Sequence, residues 1–123
     1  MTPTSISDMS AEQLVDHFRT IALEQDRALQ SDQIAKYNRL FGDMDVVVKE
    51  LKRRPGDKRR ELVRLLKDVN AQVRLKSAIA TLGLAPDAAR QALRMIDDLD
   101  EYPQAPFARD ILSGLDDGTY KPS

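Results

Sequence analysis

The sequence predicts an all-α protein of about six helices, on three observations. Apolar residues recur at steps of three and four over most of the chain, the period of a helix that buries one face. The stretch Leu62–Pro86, LVRLLKDVNAQVRLKSAIATLGLAP, reads as helix, tight turn, helix and stop. The composition is 41% hydrophobic and 32% charged, with five glycines and six prolines in 123 residues, which suits helices and argues against disorder. No strand pattern competes, since Val46-Val47-Val48 is short and lies inside a helical stripe.

Residues 1–9 read as a flexible N-terminal arm, and residues 10–123 as a single domain. A chain of this length buries about two-thirds of the surface it exposes when unfolded. Ser10 is placed to N-cap the first helix, with Gln13 in the capping-box position. Leu14, Phe18, Ile21, Ala22 and Leu29 share one face of that helix. A second helix starts near Ser31 or Asp32 and carries Ile34, Tyr37, Phe41, Met44, Val48 and Leu51, with Leu40 and Val47 widening the stripe. These two should be the longest helices, packed antiparallel. Pro55-Gly56 ends the pair.

The third helix, from about Asp57, carries Leu62, Leu65 and Leu66. Asn70 can cap the fourth, whose inner positions are Val73, Ala78, Ile79 and Leu82, with Gly83 as its stop. Pro86 suits the first turn of the fifth, where its missing N–H is not needed. Ala88, Ala89, Ala92, Leu93, Ile96 and Leu99 form that helix's inner stripe. Tyr102-Pro103 breaks it, and a short sixth helix with Phe107, Ala108, Ile111 and Leu112 runs to an Asp116-Asp117-Gly118 turn.

A weak internal repeat lays Leu62 onward over Met95 onward. Leu66 then meets Leu99, Ile79 meets Leu112, Leu82 meets Leu115, and Asp68 meets Glu101. Arg74 falls on Phe107, so the second copy is degenerate. Leu65-Leu66, Asp68, Asn70, Val73-Arg74, Ala78 and Leu82 resemble the HEAT helical-repeat consensus. By that resemblance the fold is a short HEAT-like α-α superhelix, and Asp68 and Arg74 hold the places of the Asp and Arg that hydrogen-bond between successive repeats. The chain from Ser10, through VRLKSAIATLGLAPDAARQAL and the closing LDDGTYKP, also resembles a family of short bacterial domains of unknown function with such a fold. That likeness implies no activity.

No catalytic constellation stands out. There is no phosphate-binding glycine loop, no HExxH and no GxSxG. His17 is the sole histidine and the chain has no cysteine, which leaves no metal-ligand spacing to propose. Asp97-Asp98 and Asp116-Asp117 are adjacent pairs that point apart on a helix or belong to a turn. We therefore expect no enzyme activity, no cofactor and no metal.

The net charge of −1 conceals an uneven distribution. Lys49, Lys52, Arg53, Arg54, Lys58, Arg59, Arg60 and Arg64 surround the Pro55-Gly56 turn, whereas Asp97, Asp98, Asp100, Glu101, Asp110, Asp116 and Asp117 lie downstream. Short solenoids leave end faces that must be capped, kept polar or covered by a partner. The expected function is thus a protein-binding module, regulatory or toxin-neutralising in kind, able to form a homodimer. Arg53, Arg54, Arg59 and Arg60 on one side, and Asp97, Asp100 and Glu101 on the other, are its surface candidates. The alternative is a nucleic-acid accessory protein working through the basic turn, although no aromatic residue interleaves it for base stacking. The chain shows neither signal-peptide nor membrane-span character, so a cytoplasmic location is expected.

Overall fold

The computed structural model describes residues 5–123, and every described element is helical: five α-helices and two 3₁₀ segments, with no strand among the described residues. The backbone divides into two compact units, Met1–Glu61 and Leu62–Ser123. Of the expected N-terminal arm, residues 1–4 lie outside the described residues. Ile6–Asp8 form a 3₁₀ turn, whose Ile6 and Ser7 carbonyls accept from Arg54 Nη2 at 3.3 and 3.4 Å.

In the first unit, α1 (Ala11–Gln30) opens on the expected capping box. Ser10 Oγ accepts the Gln13 N–H at 3.1 Å, and Gln13 Oε1 accepts the Ser10 N–H at 2.8 Å. Its buried face is Leu14, Val15, Phe18, Ile21, Ala22, Gln25 and Ala28, and it packs on α2 (Ile34–Arg53). The turn between them is a Schellman motif: Gln33 N–H donates to Ala28 O and Asp32 N–H to Leu29 O, with Asp32 left-handed at φ 54°. α2 buries Leu40, Met44, Val47 and Leu51, again at steps of four and three. The stripe is rotated from the one expected, because Ile34 and Phe41 remain 60% and 55% exposed.

Residues Lys58–Lys67 form a 3₁₀ helix instead of the expected third α-helix. Arg59, Leu62 and Leu65 are all buried, at steps of three, which fits three residues per turn. In the second unit, Asn70 Oδ1 caps α3 (Ala71–Thr81) by accepting Val73 N–H at 3.0 Å. Pro86 occupies the first turn of α4 (Pro86–Asp98), and α5 (Gln104–Asp117) follows a cis Tyr102–Pro103 bond. Their core gathers Leu75, Ala78, Leu82, Ala89, Leu93, Ile96, Ala105 and Ala108. Gln72 and Gln104 share a buried side-chain hydrogen bond at 3.0 Å within it. Among the described residues, every buried side-chain nitrogen or oxygen has a partner, as burial requires. Ala88 and Leu99, expected on the inner stripe of α4, are exposed.

The closing LDDGTYKP is a folded strap. Gly118 ends α5 at φ 81°, and Asp117 Oδ1 accepts both the N–H and the hydroxyl of Thr119. Those two bonds hold the Asp117 carboxyl below its ordinary pKa. Tyr120 N–H then donates to Gly114 O, and its side chain packs on the core. A Cβ on Gly114 would stand 2.9 Å from Tyr120 Cβ, so only glycine admits this closeness. Gly114→Ala is expected to displace the strap and destabilise the protein by about 1–3 kcal/mol, read as a lower melting temperature together with a shifted Tyr120 ring resonance.

No helix among the described residues is long and apolar enough to cross a membrane.

Candidate docking site

The arginines singled out around Pro55-Gly56 do not form a free basic face. Glu50 takes both Arg53 and Arg54: Arg53 Nε lies 3.1 Å and Arg54 Nε 2.9 Å from its carboxylate oxygens. The hydrogen bonds from Arg53 and then Arg54 hold Glu50 below the ordinary carboxylate pKa, and the bond to Glu50 pushes Arg53 upward. Arg59 is buried and grips Asp57 with Nε at 2.9 Å and Nη2 at 2.7 Å, which lowers the Asp57 pKa. Lys49 pairs with Asp45 at 2.8 Å. Arg60 is exposed. The signals for these pairs stand in the sequence, since Glu50 precedes Arg53 and Arg54 by three and four residues.

The downstream acids are likewise divided. Asp97 pairs with Arg109 at 2.9 Å, and Asp100 is 3.9 Å from the same guanidinium. Asp100 is left-handed at φ 49°, the αL residue of a second Schellman motif, in which Glu101 N–H donates to Ile96 O and Asp100 N–H to Asp97 O. A Cβ in this conformation is strained. Asp100→Gly is expected to raise stability by up to about 1 kcal/mol, measured by urea unfolding.

That turn aims Glu101 at Arg74. Arg74 Nη1 and Nη2 lie 2.6 and 2.7 Å from the two Glu101 oxygens, a fork-to-fork pair, and Arg74 Nε donates to Asp68 O at 2.7 Å. The pair lowers the Glu101 pKa and raises that of Arg74, chiefly through these hydrogen bonds. The Asp68 carboxylate accepts the Asn70 N–H at 3.0 Å. Arg74 thus joins the start of α3 to the α4–α5 connection.

Beside this ion pair lies a cleft of about 430 Å³. Leu66, Ala92, Met95, Leu99 and Val69 supply its apolar walls, and Lys67, Asp68, Arg74 and Glu101 its polar ones. Val69 is 90% exposed and Leu99 65%, with Met95 half exposed beside them. Side chains of this size rarely stand in water together on a folded surface without a partner. Sequence reasoning placed Leu99 inside and missed Val69 and Met95. The spacing of α4 supports an apolar stripe two faces wide, and nothing in it marks which face stays open. His17 is half-buried on α1, and no group of three or more acids or histidines that could hold a metal occurs among the described residues.

A family model matches residues 12–116. The chain belongs to that family, described as a domain of unknown function (DUF2019). Among solved structures, the protein RPA1889 from Rhodopseudomonas palustris CGA009 is similar, with a TM-score of 0.94 and 43% identity. The match covers 98% of this chain and 100% of that one. No curated protein matches. The DUF2019 chain thus shares its architecture with a solved structure.

Proposed function

We propose that the protein is a non-enzymatic docking module whose apolar cleft receives an amphipathic helix of a partner protein. The single observation that carries this reading is the cleft itself, with Val69, Met95 and Leu99 exposed along walls that end on the Arg74–Glu101 pair. Helix-in-groove recognition needs an apolar trough and a few polar groups to fix register. Charge narrows the partner. Asp98 and Asp100 are exposed beyond Leu99, next to the half-buried Asp97 and Glu101, so the helix should carry Lys or Arg on its flank. A regulatory or toxin-neutralising role fits such a module.

The HEAT-like reading belongs with this proposal. Arg74 pairs with Glu101, the residue that the internal repeat lays over Asp68, in the manner of an arginine reaching the acid of the next repeat. Small helical-repeat proteins commonly work by offering such surfaces. The nucleic-acid alternative draws less support, because Arg53, Arg54 and Arg59 are already committed to acids.

The test is selection of displayed helical peptides against the purified protein, followed by titration of the winners. Leu99→Asp should weaken binding at least about tenfold, and Asp98→Lys with Asp100→Lys should slow association at low salt. Peptides that bind the Leu99→Asp protein as well as the wild type would remove the cleft from consideration. Salt-sensitive binding to DNA, lost on Arg60→Ala, would instead favour the alternative.

A further inference from the structure

α4 carries a second groove on another face, between itself and α5, which stands without the docking proposal. The two helices are joined there by a ladder of ion pairs. Arg90 Nη1 lies 3.2 Å from Asp116 Oδ1 at one end, and Arg109 Nε and Nη2 lie 3.0 and 2.9 Å from Asp97 Oδ1 at the other. The members are seven residues apart on each helix, 90 to 97 and 109 to 116, so both helices turn the same face to the groove. Arg94 and Ser113 fall between them, each four residues after the first member on its own helix. Both line the same open groove of about 530 Å³. This middle rung has a cation and a hydroxyl but no acid. Both residues are exposed, and Arg94 makes no ion pair or hydrogen bond among the described residues.

We propose that the α4–α5 groove is a carboxylate-binding site, in which Arg94 and Ser113 hold the acidic group that the ladder lacks. A guanidinium presents two parallel N–H groups that match the two oxygens of a carboxylate. The Ser113 hydroxyl can donate to one of those oxygens from the facing helix. Leu112 on the groove wall suits the methylene next to a carboxylate. The flanking acids set the charge of the ligand. Asp97 stands on one side of the rung and Asp116 and Asp117 on the other, so a monoanion is accommodated beside Arg94, whereas a phosphate dianion meets stronger repulsion from both ends. The groove is open and each of its ion pairs has one exposed member, so a lone carboxylate binds weakly and a carboxylate tethered to further contacts binds better.

The experiment is an NMR titration of the ¹⁵N-labelled protein at pH 7 and constant ionic strength, reading the arginine Nε–H resonances. Acetate, inorganic phosphate and a short capped Asp-containing peptide serve as the probes. A saturable shift of the Arg94 resonance with acetate is expected, absent in Arg94→Gln. Ser113→Glu supplies the missing acid from within, so it should abolish the acetate response and raise the melting temperature. A peptide that binds about tenfold or more tightly than acetate assigns the site to an acidic side chain of a partner. Equal affinity assigns it to a small free acid, and either result supports the site. A shift that grows linearly without saturating, persists in Arg94→Gln, or is stronger with phosphate than with acetate would overturn the proposal.

Discussion

Arg74→Ala should destabilise the protein by about 2–3 kcal/mol, the larger part from groups left behind. Arg74 and Glu101 side chains are only 16% and 25% exposed. Removing the guanidinium strips two charge-assisted bonds from Glu101 and the Nε bond from the Asp68 carbonyl. A carboxylate shielded from water and without its partner is costly. The pH dependence follows from the Glu101 pKa, which Arg74 holds below its ordinary value. A depressed folded-state pKa means that the stabilisation is complete above the ordinary carboxylate range and fades as pH falls through that range towards the depressed value. Glu101→Gln should therefore lose stability against wild type at neutral pH, and the gap should narrow as the pH falls from neutral through and below the ordinary carboxylate range. Urea unfolding across that range checks it; a gap that is the same at both ends would show that the pair contributes nothing as charges.

Phe18→Ala should be the most damaging single substitution in the first unit, at about 3–5 kcal/mol. Phe18 is fully buried and the largest such side chain among the described residues. It lies mid-helix on the face that α1 turns to α2, where a cavity cannot collapse without bending two 20-residue helices. Ile34→Ala is the matching control. It also removes a large apolar group, but from an exposed position, and should change stability by no more than about 0.5 kcal/mol. Comparable losses for the two would mean that α2 buries the other stripe.

That control bears on what the sequence could say. The helical periodicity of α2 was legible, and so were its length and its packing against α1. Which stripe turns inward was not, because apolar residues cover two neighbouring faces and a period carries no information about what stands opposite. The Ser10 capping box, the Asn70 cap and the Pro86 start were all readable, since each depends on residues three or fewer positions apart. Residues 58–67 were harder. Leu62, Leu65 and Leu66 fit an α-helical stripe, and the burial of Arg59 three residues earlier fits an α stripe and a 3₁₀ ridge alike, so periodicity does not separate the two. The charged turn shows a different limit: counting arginines overstates a basic surface when Glu50 and Asp57 are placed to neutralise them. The Arg74–Glu101 pair spans 27 residues. Its one trace in the sequence is the repeat that lays Glu101 over Asp68.

Met95 gives the apolar cleft a chemical voice of its own. Its thioether is half exposed on the cleft wall, whereas Met44 is shut inside the first unit. Mild peroxide should convert Met95 to the sulfoxide far sooner than Met44, and anything seated in the cleft should slow that conversion. A peptide map after brief oxidation would then report occupancy without a label, and the sulfoxide, polar and larger, would spoil the same wall for an apolar guest.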